Sequence, residues 1–528
     1  MEKRHQVLVV GGGPVGASLA LELGMRGISV GVVERRTNPQ RIPKGQNLTQ
    51  RTLEHFYYWG IADELRSARA MPQGYPIGGV TAYGNLMSEY WIQPPQRETV
   101  RDFYFQANER LPQYHLEEVV RKRMADFPNI EVQYGWTAET VEQDDTGVRV
   151  SIAEEDGSGH EVIEADYVVG CDGARSVVRD QIGIVRSGSD FDQLMLLAVF
   201  RSTELHKGLE RFPPRSTYNV LHPDLKGYWQ FFGRIDVGEG WFFHAPVPAD
   251  TTRDNFDFHG LIQEAAGFEF AAEFDHVGFW DLAVSVAEDY QKGRVFIAGD
   301  SAHSHPPYGG FGLNNGLEDA VNIGWKLAAR LDGWGTDALL KTYSEERRPI
   351  FRDTGEDFIA ARINKDAEFL ERYNPEKDEE EFARVWKERE YTGGMRAEIY
   401  VPHYEGSSVV MGEDGAVCGA HGVHSFTART GHHLPPQPLS SGRNVFEELD
   451  SGFNLLAFGA EDKSVQEFEA AAKARGIPLN CIRDSFEGGR EKYEQRLILV
   501  RPDQFVVWTG DDGPNDASAI MGQVSGQD

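Results

Sequence analysis

The chain has 528 residues, of which 53 are basic and 83 acidic, a formal charge of −30, with 40% hydrophobic and 26% charged residues overall. That is the composition of a soluble globular protein with core enough for roughly three domains. Its negative field repels phosphate polymers and anionic lipid, so neither nucleic acid nor a membrane is expected as a partner. The three cysteines, Cys171, Cys418 and Cys481, are far apart and form no CxxC pair. They fit a reducing, cytoplasmic setting and exclude a disulfide framework. No apolar run reaches the roughly 18 residues of a membrane span, and glycines break the apolar stretch after Met1–His5, which is therefore no signal peptide.

In chain order, Val7–Val10 reads as a buried strand, Gly11–Gly16 as a tight loop, Pro14–Arg26 as a helix stopped by Gly27, and Ile28–Val33 as a second strand, which together make a βαβ unit. Helices are predicted over 47–65 and 112–125. Glu131–Gln133, Thr140–Glu142, Val148–Ile152 and Val162–Val169 are predicted strands. Leu194–Phe200, Tyr228–Phe232 and Trp241–Pro246 are aromatic-rich and β-like, as a separate substrate layer would be. Arg294–Ala298 returns to a buried strand, followed by a glycine-rich loop and a long helix from about Asn314 to Leu331. Residues 340–400 are charged and helical, and the run Asp378–Glu381 reads as a solvated face. Residues 410–445, rich in Gly, Pro, Ser and His, look like a linker. Phe453–Ala457, Val465–Ala474, Arg496–Val500 and Phe505–Trp508 form a last strand–helix–hairpin pattern.

Gly11-Gly12-Gly13-Pro14-Val15-Gly16 fits GxGxxG between a strand and a helix. Gly11 permits the turn, Gly13 admits a pyrophosphate close to the backbone, Gly16 lets helix pack on strand, and the helix N-terminus points N–H groups at phosphate. Glu34, ending the second strand, is placed to accept from ribose hydroxyls. These residues indicate a dinucleotide but leave FAD and NAD open.

Two later segments carry a family resemblance. Cys171-Asp172-Gly173 with Ser176 and Arg179 fits CDGxxSxxR, and residues 299–314 fit GDxxHxxPPxGGxGxN. With the glycine loop, these resemble the ordered fingerprints of the FAD-dependent aromatic hydroxylases, the p-hydroxybenzoate and phenol hydroxylase-like group A flavoprotein monooxygenases, over about the first 350 residues. The resemblance implies an α/β fold. A Rossmann-like FAD-binding domain (1–185 and 285–400) would interleave with a sheet domain for substrate (186–284, also receiving about 75–110). A thioredoxin-like α/β domain (401–528), lacking CxxC, would serve structure or dimer contacts, so a homodimer is expected.

It further implies that Asp300 binds the ribityl chain. Pro307 to Gly312 would approach the flavin ring, and Leu313-Asn314 would start a helix whose positive end faces the ring edge where negative charge gathers on reduction. Gln113, Lys44 and Arg51 occupy family cofactor positions, although Lys44 and Arg51 also suit ordinary surface cations. The loop of Asp172 and Arg179 would assist both cofactors. His303 and His305 beside Asp300 are not read as a metal site, and no metal is expected.

The implied reaction is hydroxylation of an activated phenolic or hydroxy-heteroaromatic ring with NADPH or NADH and O2, through a flavin C4a-hydroperoxide. With a single Rossmann fingerprint, the nicotinamide would visit transiently. One departure stands out: phenol hydroxylase-like members have a catalytic aspartate five places before the RTLE arginine, and here that position is Gln46. Either the base lies elsewhere, for which Arg234 and His244 in the aromatic sheet are the candidates, or the substrate is already ionised; Pro307 is the residue beside the reacting ring. Other flavin chemistry on the same scaffold, halogenation or reduction, is the alternative. The WxWxIP segment of halogenases is absent, with Phe279-Trp280-Asp281 the nearest match. A non-enzymatic FAD-scaffold protein would not need the segment from Asp300 to Asn314.

Overall fold

The computed structural model describes residues 3–392 and 396–528. Val7, Leu8 and Val9 are completely buried, because the strand Lys3–Val10 lies inside a parallel sheet covered on both faces, where a continuous apolar run rather than alternation is needed. It pairs in parallel with Val30–Glu34 on one side and His160–Gly170 on the other. The sheet runs Gln291–Lys292, Val295–Ile297, His160–Gly170, Lys3–Val10, Val30–Glu34, Ile130–Tyr134, and the strands Trp136–Gln143 and Val148–Glu154 add a meander on His160–Gly170. The helices Pro14–Met25 and Phe311–Leu331 pack together against it.

A second sheet has the order His303–Ser304, Glu273–Ala287, Arg186–Arg201, Gly240–Val247, Trp229–Arg234, Thr217–Leu221, Gly79–Tyr83, Trp91–Ile92. The early segment enters through a parallel pairing of Gly79–Tyr83 with Thr217–Leu221. Because side chains alternate across a strand, this sheet has two distinct faces. Phe200, Tyr218, Phe232, Trp241 and Phe243 pack on one, under the helices Thr203–Gly208 and Phe258–Ala266. Thr81, Asn219, Trp229 and Phe231 occupy the other and line a cavity.

The helix Asp337–Asp353 runs into a π-helical stretch Thr354–Ala360 and the helix Ala361–Arg372; the last two, with the helix Glu379–Thr392, close that cavity from the far side. The C-terminal part is a four-stranded mixed sheet in the order Leu479–Asp484, Phe453–Phe458, Leu497–Val500, Val506–Gly510, flanked by helices Asp462–Arg475 and Ala517–Val524. Residues 410–445 are not a loose linker. Ala428, Leu434, Leu439 and Val445 are buried against Leu456, Phe458 and Ile498, and Gly431 N donates to Val506 O at 2.7 Å. Glycine and proline removed the periodicity but not the burial.

Arg501 seals the junction between these parts: it pairs bidentately with Glu346 (2.7 and 2.8 Å) and with Asp503 (2.6 and 2.7 Å). Lys326 Nζ also reaches Glu346 at 2.7 Å. Among the described residues no helix is long and apolar enough to cross a membrane.

Candidate active site

The glycine loop is shaped by collision. Gly11 has φ +103°, and a Cβ there would lie 2.4 Å from Cys171 O; a Cβ on Gly16 would lie 1.8 Å from Gly11 O. Gly13 differs, since a Cβ built on it meets nothing within 4 Å. Gly13 is also the N-cap of the helix Pro14–Met25 and supplies no side-chain cap. The first turn of this helix is left without a side-chain cap beside open space at Gly13, as an incoming pyrophosphate requires. Glu34 accepts from Gly12 N at 2.7 Å and Arg36 N at 2.8 Å. Its carboxylate thus shapes the loop, with lone pairs left for a ribose. Arg121, which belongs to no motif, donates to Gly12 O at 3.2 Å and adds positive charge beside the loop. Helical spacing gave no reason to single it out.

Asp172 accepts from Ser176 Oγ (2.5 Å), Ser301 Oγ (3.0 Å) and Val178 N (3.2 Å). Arg179 is buried and donates to Ala174 O (3.2 Å) and Ser301 O (3.1 Å). Both residues tie the 171–179 loop to the 299–304 loop. Arg186, also unforeseen, adds bonds to Ala174 O and Asp300 O. Asp300 itself is exposed. Among the described residues no hydrogen-bond donor engages its carboxylate. The surrounding protein raises its pKa, with His303, Lys44 and Arg186 opposing. An exposed acceptor with nothing to accept from, next in the chain to Gly299, where a Cβ would lie 2.9 Å from Val15 of the glycine loop, fits a polyhydroxyl chain.

Pro307 precedes a short turn with Gly309 at φ 77° and Gly310 at φ 66°, and the long helix begins at Phe311, three residues before the expected start. Its N-cap, Gly310, brings no side chain. Asn314 does not start the helix; its side chain holds the 47–52 segment, accepting from Thr49 N (2.9 Å) and Thr52 Oγ1 (2.7 Å) and donating to Asn47 O (2.9 Å). Gly45 lies where a Cβ would approach Leu313 Cδ2 (3.1 Å) and Gln113 Oε1 (3.3 Å), which brings Leu313 and Gln113 to one wall. Gly312 abuts only the His305 ring, at 3.6 Å from a built Cβ. Lys44 is exposed, within electrostatic reach of Asp300 and Glu117.

Other expectations are redirected. Arg51 is spent on Glu318 (3.1 Å), Gln504 (2.8 Å) and Asp503 O (2.7 Å), where it binds the helices Gln50–Tyr58 and Phe311–Leu331 to the C-terminal part. Arg234 sits on the sheet face opposite the cavity, bonded to Tyr218 Oη (3.0 Å) and to His206, over the Trp241 ring. His244 is 4% exposed, stacked on Phe231 at 4.8 Å. Burial lowers its pKa to about 3, so it is a neutral and feeble base. Neither Arg234 nor His244 lines the cavity. Gln46 accepts from Arg110 at 2.9 Å. His303 binds Asp319 at 2.6 Å, and Asp319 binds Arg347 at 2.8 Å, a buried structural chain. His305 faces the Pro306 carbonyl, and burial lowers its pKa to about 4.

The cavity has a volume of about 450 Å³. Its walls are the Pro307–Phe311 loop, the Trp229 and Phe231 face of the second sheet, Arg97, and the Phe358–Asp366 helix segment. Trp229 Nε1 donates to Asp366 at 2.7 Å, which Arg389 also binds. No sequence pattern marked the helical wall, because its residues converge only when residues 354–392 fold over the sheet.

Residues 4–356 match the family model of the FAD binding domain, and residues 427–527 that of the aromatic-ring hydroxylase C-terminal domain. The FAD-dependent monooxygenase apdD of Emericella nidulans is 28% identical, covering 99% of this chain and 90% of its own. The rifampicin monooxygenase of Streptomyces venezuelae is 29% identical, covering 96% of each. The ternary complex of aklavinone-11 hydroxylase with FAD and aklavinone superposes with a TM-score of 0.82, at 26% identity and 100% coverage of both chains. The open glycine cradle, the unbonded Asp300 and these matches agree: the chain belongs to the FAD-dependent aromatic-ring hydroxylase family.

Proposed function

We propose that the protein uses NAD(P)H and O2 to hydroxylate an activated aromatic ring, phenolic or hydroxy-heteroaromatic, in the cavity beside Pro307. The observation that carries this reading is the position of the cavity, between the glycine turn opening the helix Phe311–Leu331 and the aromatic face of the second sheet. FAD, when bound, would supply the electron relay from nicotinamide to O2 and the oxygen-transfer chemistry.

The chain's own residues bind and orient. The N–H groups of the Gly11–Gly16 loop would hold pyrophosphate, Glu34 the adenosine ribose, and Asp300 the ribityl hydroxyls. Gln113, Leu313 and Lys44 would border the ring system. Asp172 and Arg179 would position the loops without touching the cofactor. The uncapped N-terminus at Phe311, Gly312 and Leu313 would place positive partial charge at the ring edge. Trp229, Phe231 and Phe358 would sandwich a flat substrate and exclude water.

The test is a panel of phenols, hydroxyquinones and hydroxypyridines added to the purified yellow protein. Stimulated NAD(P)H oxidation, matched by O2 uptake and a product heavier by one oxygen atom, is the expected result. A protein that holds FAD but responds to no member of the panel, or that returns a halogenated or reduced product, would overturn the reading.

A further inference from the structure

Arg97 opens the short helical turn Arg97–Phe103 and lines the cavity, although it is only 8% exposed. One guanidinium nitrogen donates to Gly309 O at 3.0 Å, in the turn beside Pro307, and the group lies 5.3 Å from the centre of the Phe311 ring. Its Nε is buried with no acceptor. Among the described residues no carboxylate forms an ion pair with it. The ionisable groups facing it are Tyr104, Tyr400 and Glu98. Burial pushes both tyrosines up, so they stay neutral, and Glu98 is exposed. The other acids on the cavity wall are engaged: Asp366 with Arg389 and Trp229, Asp357 with His421 (2.8 Å), Glu109 with Arg69 (3.0 Å), Glu388 with Arg384 (2.5 Å).

A guanidinium does not escape burial by losing its proton under ordinary conditions. A buried charge without a counter-charge is costly, and one held at a cavity wall is compensated when an anion enters. We propose that Arg97 is an anion subsite that receives the ionised ring oxygen of the aromatic substrate, a phenolate or comparably acidic enolate. The inference rests on the hydroxylase reading and deepens it. The hydroxyl proton leaves to solvent as the substrate enters, Arg97 keeps its own proton, and the ring arrives already electron-rich. No side-chain base is then required, which accounts for Gln46 in the place of an aspartate and for a His244 held neutral. Substrates with acidic hydroxyls are selected over their ethers.

The probe is alizarin, a hydroxyanthraquinone whose anion absorbs at longer wavelength than its neutral form, titrated with pH against the FAD-loaded protein. The bound dye is expected to ionise at least about one pH unit below the free dye, equivalent to about tenfold preference for the anion. Arg97→Lys should retain part of that shift and Arg97→Gln should abolish it, while alizarin dimethyl ether should bind wild type and Arg97→Gln alike. A merely structural Arg97 would leave the bound ionisation unmoved. An unchanged shift in folded, flavin-replete Arg97→Gln overturns the proposal. So does a wild-type complex that ionises no lower than free dye, or a wild type that fails to bind the dye; these outcomes need no variant to fold. Failure of turnover with the shift intact would instead count against the hydroxylase reading alone.

Discussion

Replacing Glu34 by glutamine separates the shaping of the glycine loop from the packing around it. The side chain is 8% exposed, so its bonds are little weakened by solvent. Its two oxygens each accept one backbone N–H, from Gly12 at 2.7 Å and Arg36 at 2.8 Å. Hydrogen bonds to a charged group contribute about 1.5–3 kcal/mol each. Glutamine keeps one acceptor oxygen and turns an NH2 toward the other donor, so one such bond is lost. At 1.4 kcal/mol per factor of ten, FAD affinity should fall about 10- to 150-fold, because binding must then order a loop that wild type holds ready. Glu34→Ala removes both acceptors and should lose more. The assay is titration of the apoprotein with FAD, followed by quenching of flavin fluorescence, alongside circular dichroism. Dissociation constants within threefold of wild type for both variants would refute the claim that this carboxylate organises the cofactor site.

Asp300→Ala should lower flavin occupancy at least about tenfold, one charge-assisted bond's worth; flavin retained through gel filtration at the wild-type ratio would contradict the ribityl assignment. Glu346→Ala leaves Arg501 and Lys326 buried with a partner removed, a change expected to cost about 3–5 kcal/mol; a loss under about 1 kcal/mol in urea denaturation would show that the junction does not depend on this pair. Acid should act on the same group. Burial alone would raise the pKa of Glu346, but Arg501 and Lys326 overcome burial and hold it far below its ordinary 4.5. The stability it contributes is therefore complete above about pH 4.5 and drains away as pH falls toward the folded value. Glu346→Gln should be less stable than wild type at neutral pH and show a shallower loss below pH 4.5; parallel curves would contradict this.

The chain's local patterns determined the cofactor half of the protein. Gly11, Gly13 and Gly16 meet their constraints within a few residues of one strand and one helix, and Asp300 follows directly from a strand end. Such features depend on backbone geometry over short spans, so they are legible without knowing the rest of the fold. The α/β class and most strands of the first sheet were legible for the same reason, whereas Glu273–Ala287, Thr217–Leu221 and Gly79–Tyr83 of the second sheet were not. Which side chains meet the substrate was decided by tertiary structure alone. Arg234 and Phe231 are three residues apart, yet strand alternation puts one on the packed face and the other on the cavity. Arg51 looked like a cofactor ligand until the fold brought Glu318 and the Asp503 turn against it. Arg97 carried no motif, and its significance is a sum over everything around it: burial, one carbonyl, two neutral tyrosines and, among the described residues, no carboxylate paired with it, Glu98 being exposed. Charge compensation is a property of the whole neighbourhood, and residues drawn from positions 97, 309, 311 and 400 become neighbours only when the chain has folded.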